Sequence, residues 1–262
     1  MKHFNIGIML ESLRLDFDRS LDQAVEIGAD GFQMWFCSPD PMPRDEFLHK
    51  RSAIEAHHLT VSAVCGDIGA FTDADANVQR IRQMENIFNF AYEIGTRVVT
   101  GHIGTIPEDK DAPAYRALYQ SMLVLGKMAK ERNLTFATET GPESTALMRS
   151  FLDELDGGIG VNFDPANLVM GGFSKNGADS VEIIAPYIAH THAKDGVRLA
   201  DGSCSEVALG QGGVDFPLWM KTLWHCGYRG FLTIERECGD RPVEDCTEAL
   251  RFLRETDLAL DI

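Results

Sequence analysis

The chain has 262 residues, 44% of them hydrophobic, with 24 Lys and Arg against 40 Asp and Glu and a formal charge of −16 at pH 7. No Pro/Gly/Ser-rich linker or change of composition divides it, so residues 1–262 are read as one domain. The acidity argues against nucleic acid and anionic membrane as partners, because phosphate binding rests on clustered Lys and Arg, and leaves small molecules.

The pattern predicts a strand over residues 3–9 (HFNIGIM), then a helix over 13–27 with Leu15, Leu21, Ala24, Val25 and Ile27 at helical spacing and Gly28 at its end. Strand two is 31–36 (GFQMWF), followed by a Pro-rich loop and a helix at 44–57. Strand three is 59–65 (LTVSAVC), and a helix over 75–94 stops at Gly95. Strand four, 97–102 (RVVTGH), leads through an acidic loop at 108–111 into a helix at 112–132. Strand five is 134–139 with a helix at 144–155; strand six is 159–163 with a short helix at 179–185. A long loop, 196–213, separates strand seven, 188–192, from a helix at 216–226, and strand eight, 230–235, precedes the closing helix at 242–258. The phrases VEIGADGFQ, YEIGTRVV and WHCGYRGFL are built alike, each with a glycine at a helix end and a β-rich run after it. Eight strands alternating with eight helices predict an α/β fold with a parallel sheet. The even alternation favours a closed (β/α)8 TIM barrel, which needs about 250 residues.

The opening MKHFNIGIMLESLRLDFD meets Glu11 and Arg14 too soon for a signal peptide. No run reaches the roughly 20 apolar residues of a bilayer span. The six cysteines form no CxxC pair, which fits a cytoplasmic protein with free thiols.

Chemistry gathers at strand ends. In YIAHTHAKD, residues 187–195, alternation sends His190, His192 and Lys194 to one face and Thr191 and Asp195 to the other. Polar side chains clustered at the end of an apolar strand cost free energy unless something binds them. The runs LTFATE, IGVNFD and FLTIE likewise end on Glu139, Asp164 and Glu235. From strands five to eight, Glu139, Asp164, His192 and Glu235 would share one side of the rim that carries a barrel's active site. Three carboxylates and an imidazole suit one divalent cation: Mn, Co or Mg ahead of Zn, since no thiolate takes part.

Other residues have two readings each. His190 lies deeper than His192 and is either a hydrogen-bonded core residue or a substrate contact. Lys194 meets either a substrate oxygen or an internal carboxylate, and Trp35 either walls a sugar pocket or packs in the core. His102, in GHIG at the end of strand four, is a substrate-binding candidate. Glu143 reads as a helix cap, Glu237 shares strand parity with Glu235, and the acidic run at 108–111 reads as solvated loop.

The phrases ATETGPE, GVNFDPANLV, HTHAKDG and LGQGGVDFPLWMKTLWHCGYRGFLTIERE resemble the sugar phosphate isomerase/epimerase superfamily. These are the xylose isomerase-like barrels that include tagatose and psicose 3-epimerases, hydroxypyruvate isomerase, inosose dehydratase and endonuclease IV. The likeness covers the whole chain by strand order and is strongest over residues 134–237. It implies one cation, often manganese, cobalt or magnesium, held by Glu139, Asp164, His192 and Glu235. It also implies that Glu139 and Glu235 act from opposite faces of the substrate, one removing a proton and the other returning it. Two departures stand out. Asn167 occupies the position where endonuclease IV has a histidine ligand and ketose 3-epimerases a substrate-binding histidine, which argues against both and makes Asn167 the substrate-binding candidate there. Gln33 stands where many relatives have a strand-two glutamate. Barrels of this kind often pair, so a homo-oligomer is compatible with the chain.

A cation in such a site would act as a Lewis acid on a carbonyl and its neighbouring hydroxyl, stabilising an enediolate. The leading expectation is a metal-dependent isomerase or epimerase of a small carbohydrate-like substrate: a sugar, keto acid or polyol derivative. The alternative is a dehydratase of inosose or dehydroshikimate type, which expels a β-hydroxyl from the same enediolate. DNA-repair cleavage and a sugar-binding barrel without catalysis are the remaining readings.

Overall fold

A computed structural model describes residues 2–262. Its frame is a closed barrel of parallel strands: β1 (Asn5–Met9), β2 (Gly31–Trp35), β3 (Thr60–Cys65), β4 (Val98–Gly101), β5 (Thr135–Glu139), β6 (Ile159–Phe163), β7 (Ile188–Ala193) and, after a hairpin of β8 (Asp195–Arg198) and β9 (Cys204–Val207), β10 (Phe231–Ile234). The order around the barrel is β1-β10-β7-β6-β5-β4-β3-β2, so the first strand pairs with the last, and the α/β TIM-barrel expectation holds. The main outer helices are α1 (Phe17–Ile27), α2 (Arg44–His57), α3 (Ala74–Ile94), α4 (Pro113–Glu131) and α5 (Thr145–Leu152). After β6 come α6 (Pro165–Gly171) and α7 (Val181–Ile184), then α8 (Phe216–His225) and α9 (Pro242–Ala259).

Local chemistry sets the boundaries. The helix expected from residue 13 begins at Phe17, because Asp16 accepts a hydrogen bond from Arg19 N at 3.0 Å and caps it there. A short 3-10 turn, Leu10–Leu13, precedes it and ends at Arg14 with φ 55°. Gly28 closes α1 at φ 85°, a left-handed conformation that costs glycine nothing. Apolar residues such as Phe32, Val64, Val99, Phe136, Val161 and Leu232 are buried in the barrel wall under the helices. The barrel interior carries a polar set as well: Gln33, Ser62, Thr100, Asn162, His190 and Thr233 are all buried.

Two segments differ from expectation. The long loop at 196–213 holds the antiparallel β8–β9 hairpin, with Asp195 opposite Val207 and Arg198 opposite Cys204. The segment after Asp164 is helical as α6, because Asp164 caps it through Asn167 N at 2.9 Å and Pro165 occupies its first turn. Among the described residues no helix is long and apolar enough to cross a membrane, and the six cysteines are free.

Candidate metal centre

Four side chains at the carboxyl ends of adjacent strands converge. Glu139 ends β5, Asp164 follows β6, His192 lies near the end of β7 and Glu235 follows β10. Each is buried, and each offers one ligand atom such that all four atoms lie within 4.8 Å of one another. His192 Nδ1 is the hub, 3.2 Å from Glu235 Oε2, 3.5 Å from Glu139 Oε2 and 3.9 Å from Asp164 Oδ2. At ion–ligand distances of about 2.1 Å, two opposite ligands stand about 4.2 Å apart, so the cluster has the span of one ion's ligand set.

Asp164 shows why a cation fits. Its Oδ1 caps α6, but its Oδ2 is buried and has no hydrogen-bond partner. An orphaned carboxylate oxygen in the interior is costly, and a cation shared with three neighbouring ligands would satisfy it. With no thiolate in the set, the donors match a hard or borderline ion.

Within the cluster, protons and one lysine balance the charge. Burial pushes the Asp164 carboxyl up to about 7, against the pull of Lys194. Burial opposes charge on His192, yet Glu235 and Glu139 drive its imidazole well above the usual histidine range. Burial also opposes charge on Glu235, but His192 and Lys194 hold it far below the ordinary carboxylate range. Lys194 Nζ lies 2.9 Å from Glu235 Oε2 and 4.0 Å from Asp164 Oδ2, and it also pairs with Glu237. Despite burial, these carboxylates keep Lys194 firmly protonated. Lys194 thus forms an internal ion pair, and Glu237 reaches the centre through it.

Amides support the other side. Asn167 Nδ2 donates to Glu139 Oε1 at 2.8 Å and Asn162 Nδ2 to Glu139 Oε2 at 3.1 Å, so both carboxylate oxygens are held. Thr140 Oγ1 donates to Asp164 O at 3.0 Å and accepts from Asp164 N at 2.9 Å, tying the ends of β5 and β6 together. His190 is a core residue: its Nδ1 meets Asn162 Oδ1 at 2.9 Å and its Nε2 meets Thr233 Oγ1 at 3.0 Å. Burial lowers its imidazole well below the usual range. Gln33 Oε1 lies 3.0 Å from His192 Nε2 and Gln33 Nε2 donates to Thr100 Oγ1 at 2.7 Å, so this residue meets a ligand of the cluster.

The remaining candidates stand at the rim. Trp35 is 55% exposed, which rules out core packing. It lines a cavity of about 210 Å³ with Glu11, Arg14, Glu235 and Glu237, and Glu11 Oε1 accepts from its backbone N at 2.9 Å. His102 lies one residue beyond β4, where its Nδ1 meets Asp67 Oδ2 at 2.8 Å. That hydrogen bond raises the His102 imidazole to about 9. Glu143 is not the cap of α5; Ser144 is, accepting from Leu147 N. Instead Glu143 Oε2 accepts from Ile106 N at 3.2 Å, joining the loops after β4 and β5.

Asp195, the last residue of HTHAKD, points away from the cluster. Its carboxylate accepts from the backbone N of Gly196, Gly210, Gly212 and Val214 at 2.8–3.1 Å, pinning the far end of the hairpin connection. Gly212 is required there, since a Cβ would stand 2.2 Å from Asp195 Oδ1. From β9, Glu206 pairs with Arg236 and accepts from Glu237 N at 3.1 Å, so the hairpin grips the segment that carries Glu235 and Glu237. Sequence reading passed over Asp67, Asn162 and Glu206; only Asn162, two residues before Asp164 in IGVNFD, carried a signal that strand parity could have used.

The chain belongs to the xylose isomerase-like TIM barrel family, whose model matches residues 21–256. Among solved structures it is similar to a xylose isomerase domain protein from Planctomyces limnophilus, at 26% identity and TM-score 0.86 over 97% of each chain. A probable 3-DHS dehydratase from Bacillus anthracis superimposes with TM-score 0.80 at 15% identity, over 96% of this chain and 99% of that one. D-allulose 3-epimerase from Methylomonas sp., in complex with D-allulose, gives 0.77 at 14% identity over 98% of each. A search of curated protein sequences finds no match.

Proposed function

We propose that the chain is a divalent-cation-dependent isomerase or epimerase of a small carbohydrate-like molecule: a sugar, keto acid or polyol derivative. The observation that carries this reading is the pair Glu139 and Glu235, on strands separated by β6 and β7, meeting at one imidazole beside the orphaned oxygen of Asp164. Glu139, Asp164, His192 and Glu235 would hold the ion, with Mn, Co or Mg fitting the donor set ahead of Zn. When bound, it supplies Lewis acidity to a carbonyl and the adjacent hydroxyl.

The protein's own groups do the rest. Glu139 and Glu235 are the catalytic pair, one taking the proton from the carbon beside the carbonyl and the other returning one. Asn162 and Asn167 fix the direction of Glu139, and Lys194 keeps Glu235 ionised and able to accept. Trp35 offers an apolar wall at the rim, while His102, Lys194 and Asn167 are the polar candidates for substrate oxygens. The formal charge of −16 argues against nucleic acid as a partner.

The test is proton NMR in deuterium oxide with Mn²⁺ and a panel of ketoses, keto acids and polyols. The reading expects wild-type protein to exchange one carbon-bound proton and conserve substrate mass, and Glu139→Gln and Glu235→Gln to stop the exchange. Loss of water from the substrate would identify a dehydratase instead. Ligand binding without exchange on any member of the panel would overturn the catalytic reading.

A further inference from the structure

We propose that Gln33, held at its other end by Thr100, fixes the hydrogen on His192 Nε2 so that Nδ1 presents its lone pair to the cation, which makes Gln33 a positioning residue of the centre. The inference rests on that centre binding a cation. Gln33 and His192 are 159 residues apart in sequence, yet β2 and β7 bring them together inside the barrel, both buried. A neutral imidazole has one donor and one acceptor nitrogen, and which is which depends on the partner each meets. Gln33 Oε1 can only accept, so its 3.0 Å contact requires the hydrogen on Nε2. Once the ring gives up its second proton, as a cation's ligand must, the hydrogen stays on Nε2 and the lone pair lies on Nδ1, the nitrogen 3.2 Å from Glu235 and 3.5 Å from Glu139.

Thr100 meets the other end of the amide. Gln33 Nε2 donates to Thr100 Oγ1 at 2.7 Å, leaving Oε1 turned toward the histidine. With the amide reversed, its NH₂ would occupy the Nε2 lone pair and put the hydrogen on Nδ1, pointing into the space between the carboxylates. Asn162 cannot make this choice, since its Nδ2 stands 3.3 Å from Nε2 and 3.4 Å from Nδ1, favouring neither. A glutamine accepts here without adding a further negative charge to three carboxylates already in place.

The experiment is calorimetric titration with Mn²⁺ of wild type, Gln33→Met, Gln33→Glu and Thr100→Val, together with ¹⁵N NMR of His192 in Zn²⁺-loaded protein. Gln33→Met removes the acceptor and is expected to weaken Mn²⁺ binding roughly 10–100-fold, the usual cost of losing a partner behind a metal-bound histidine. Gln33→Glu keeps an acceptor and is expected to restore binding, a rescue that a merely space-filling role would not produce. Thr100→Val frees the amide to turn and falls between the two. The wild-type spectrum is expected to place the hydrogen on Nε2. Unchanged Mn²⁺ affinity in Gln33→Met, or a wild-type spectrum with the hydrogen on Nδ1, overturns the proposal. The spectrum decides even where a variant fails to fold. A wild-type protein that takes up no Mn²⁺ overturns the metal-centre reading and this inference with it, whereas normal uptake by both wild type and Gln33→Met overturns this inference alone.

Discussion

The two flanks of the cluster are built differently. On the β5–β6 side, Glu139 is held by neutral amides, Asn162 at 3.1 Å and Asn167 at 2.8 Å. On the β10 side, Glu235 is held by a charge, Lys194 at 2.9 Å, which is itself shared with Glu237. Neutral donors fix a carboxylate in place for about 1 kcal/mol each and leave its charge available to an ion. A buried ammonium partly cancels that charge and competes for it. The contrast teaches that Glu139 is fixed in direction with its charge left free, whereas Glu235 shares its charge with a cationic side chain.

The comparison breaks most visibly on turnover. Removing either proposed proton carrier, in Glu139→Gln or Glu235→Gln, is expected to lower kcat by about 10²–10⁴-fold, measured with the substrate found in the panel screen. If one variant loses activity and the other keeps it, a single carboxylate moves both protons and the two-sided account fails.

Lys194→Met sharpens the contrast next. Cation-free protein should lose roughly 3–5 kcal/mol, because unpaired carboxylates remain buried. Mn²⁺ should bind more tightly, because its competitor is gone. Denaturant melts with and without the ion measure both, and equal destabilisation in the two conditions would remove Lys194 from the charge balance.

Asn167→Ala probes the neutral flank. It deletes the amide on Glu139 Oε1 but leaves the backbone N that Asp164 caps. About 1 kcal/mol, or roughly fivefold in Mn²⁺ affinity, is the expected loss. A loss as large as that of Lys194→Met would mean that the flanks are equivalent.

The smallest effect lies at the rim. His102 is raised to about 9 by Asp67, above its ordinary value of 6.5. The pairing therefore stabilises the fold fully below pH 6.5 and stops doing so as pH rises through about 9. Half exposure keeps the contribution modest. The stability difference between wild type and Asp67→Asn should narrow over that interval; a difference independent of pH would contradict the assignment.

Much of this was legible in the sequence because strands announce their ends. LTFATE, IGVNFD, IAHTH and FLTIE each finish on the side chain that reaches the cluster, and a barrel places consecutive strand ends side by side. The hairpin was not legible, since DGVR and CSEV are short and polar and derive their order from the backbone amides that Asp195 collects and from the grip of Glu206. Nor was α6, because Asp164 reads as a ligand and only the structure shows that its other oxygen caps a helix. Gln33 was visible as an oddity in GFQMWF, but its partner lies five strands onward in the chain. No periodicity links residues that meet only across a barrel interior.

The central claim is that four side chains share one ion. Elemental analysis and calorimetric Mn²⁺ titration of wild type beside Asp164→Asn, which removes the charge from the cluster's buried carboxylate oxygen that has no hydrogen-bond partner, test it directly. The account predicts one ion per chain in wild type and none in the variant, which should also fold at least as stably when no cation is present. Equal uptake by both proteins, or none by either, would contradict it.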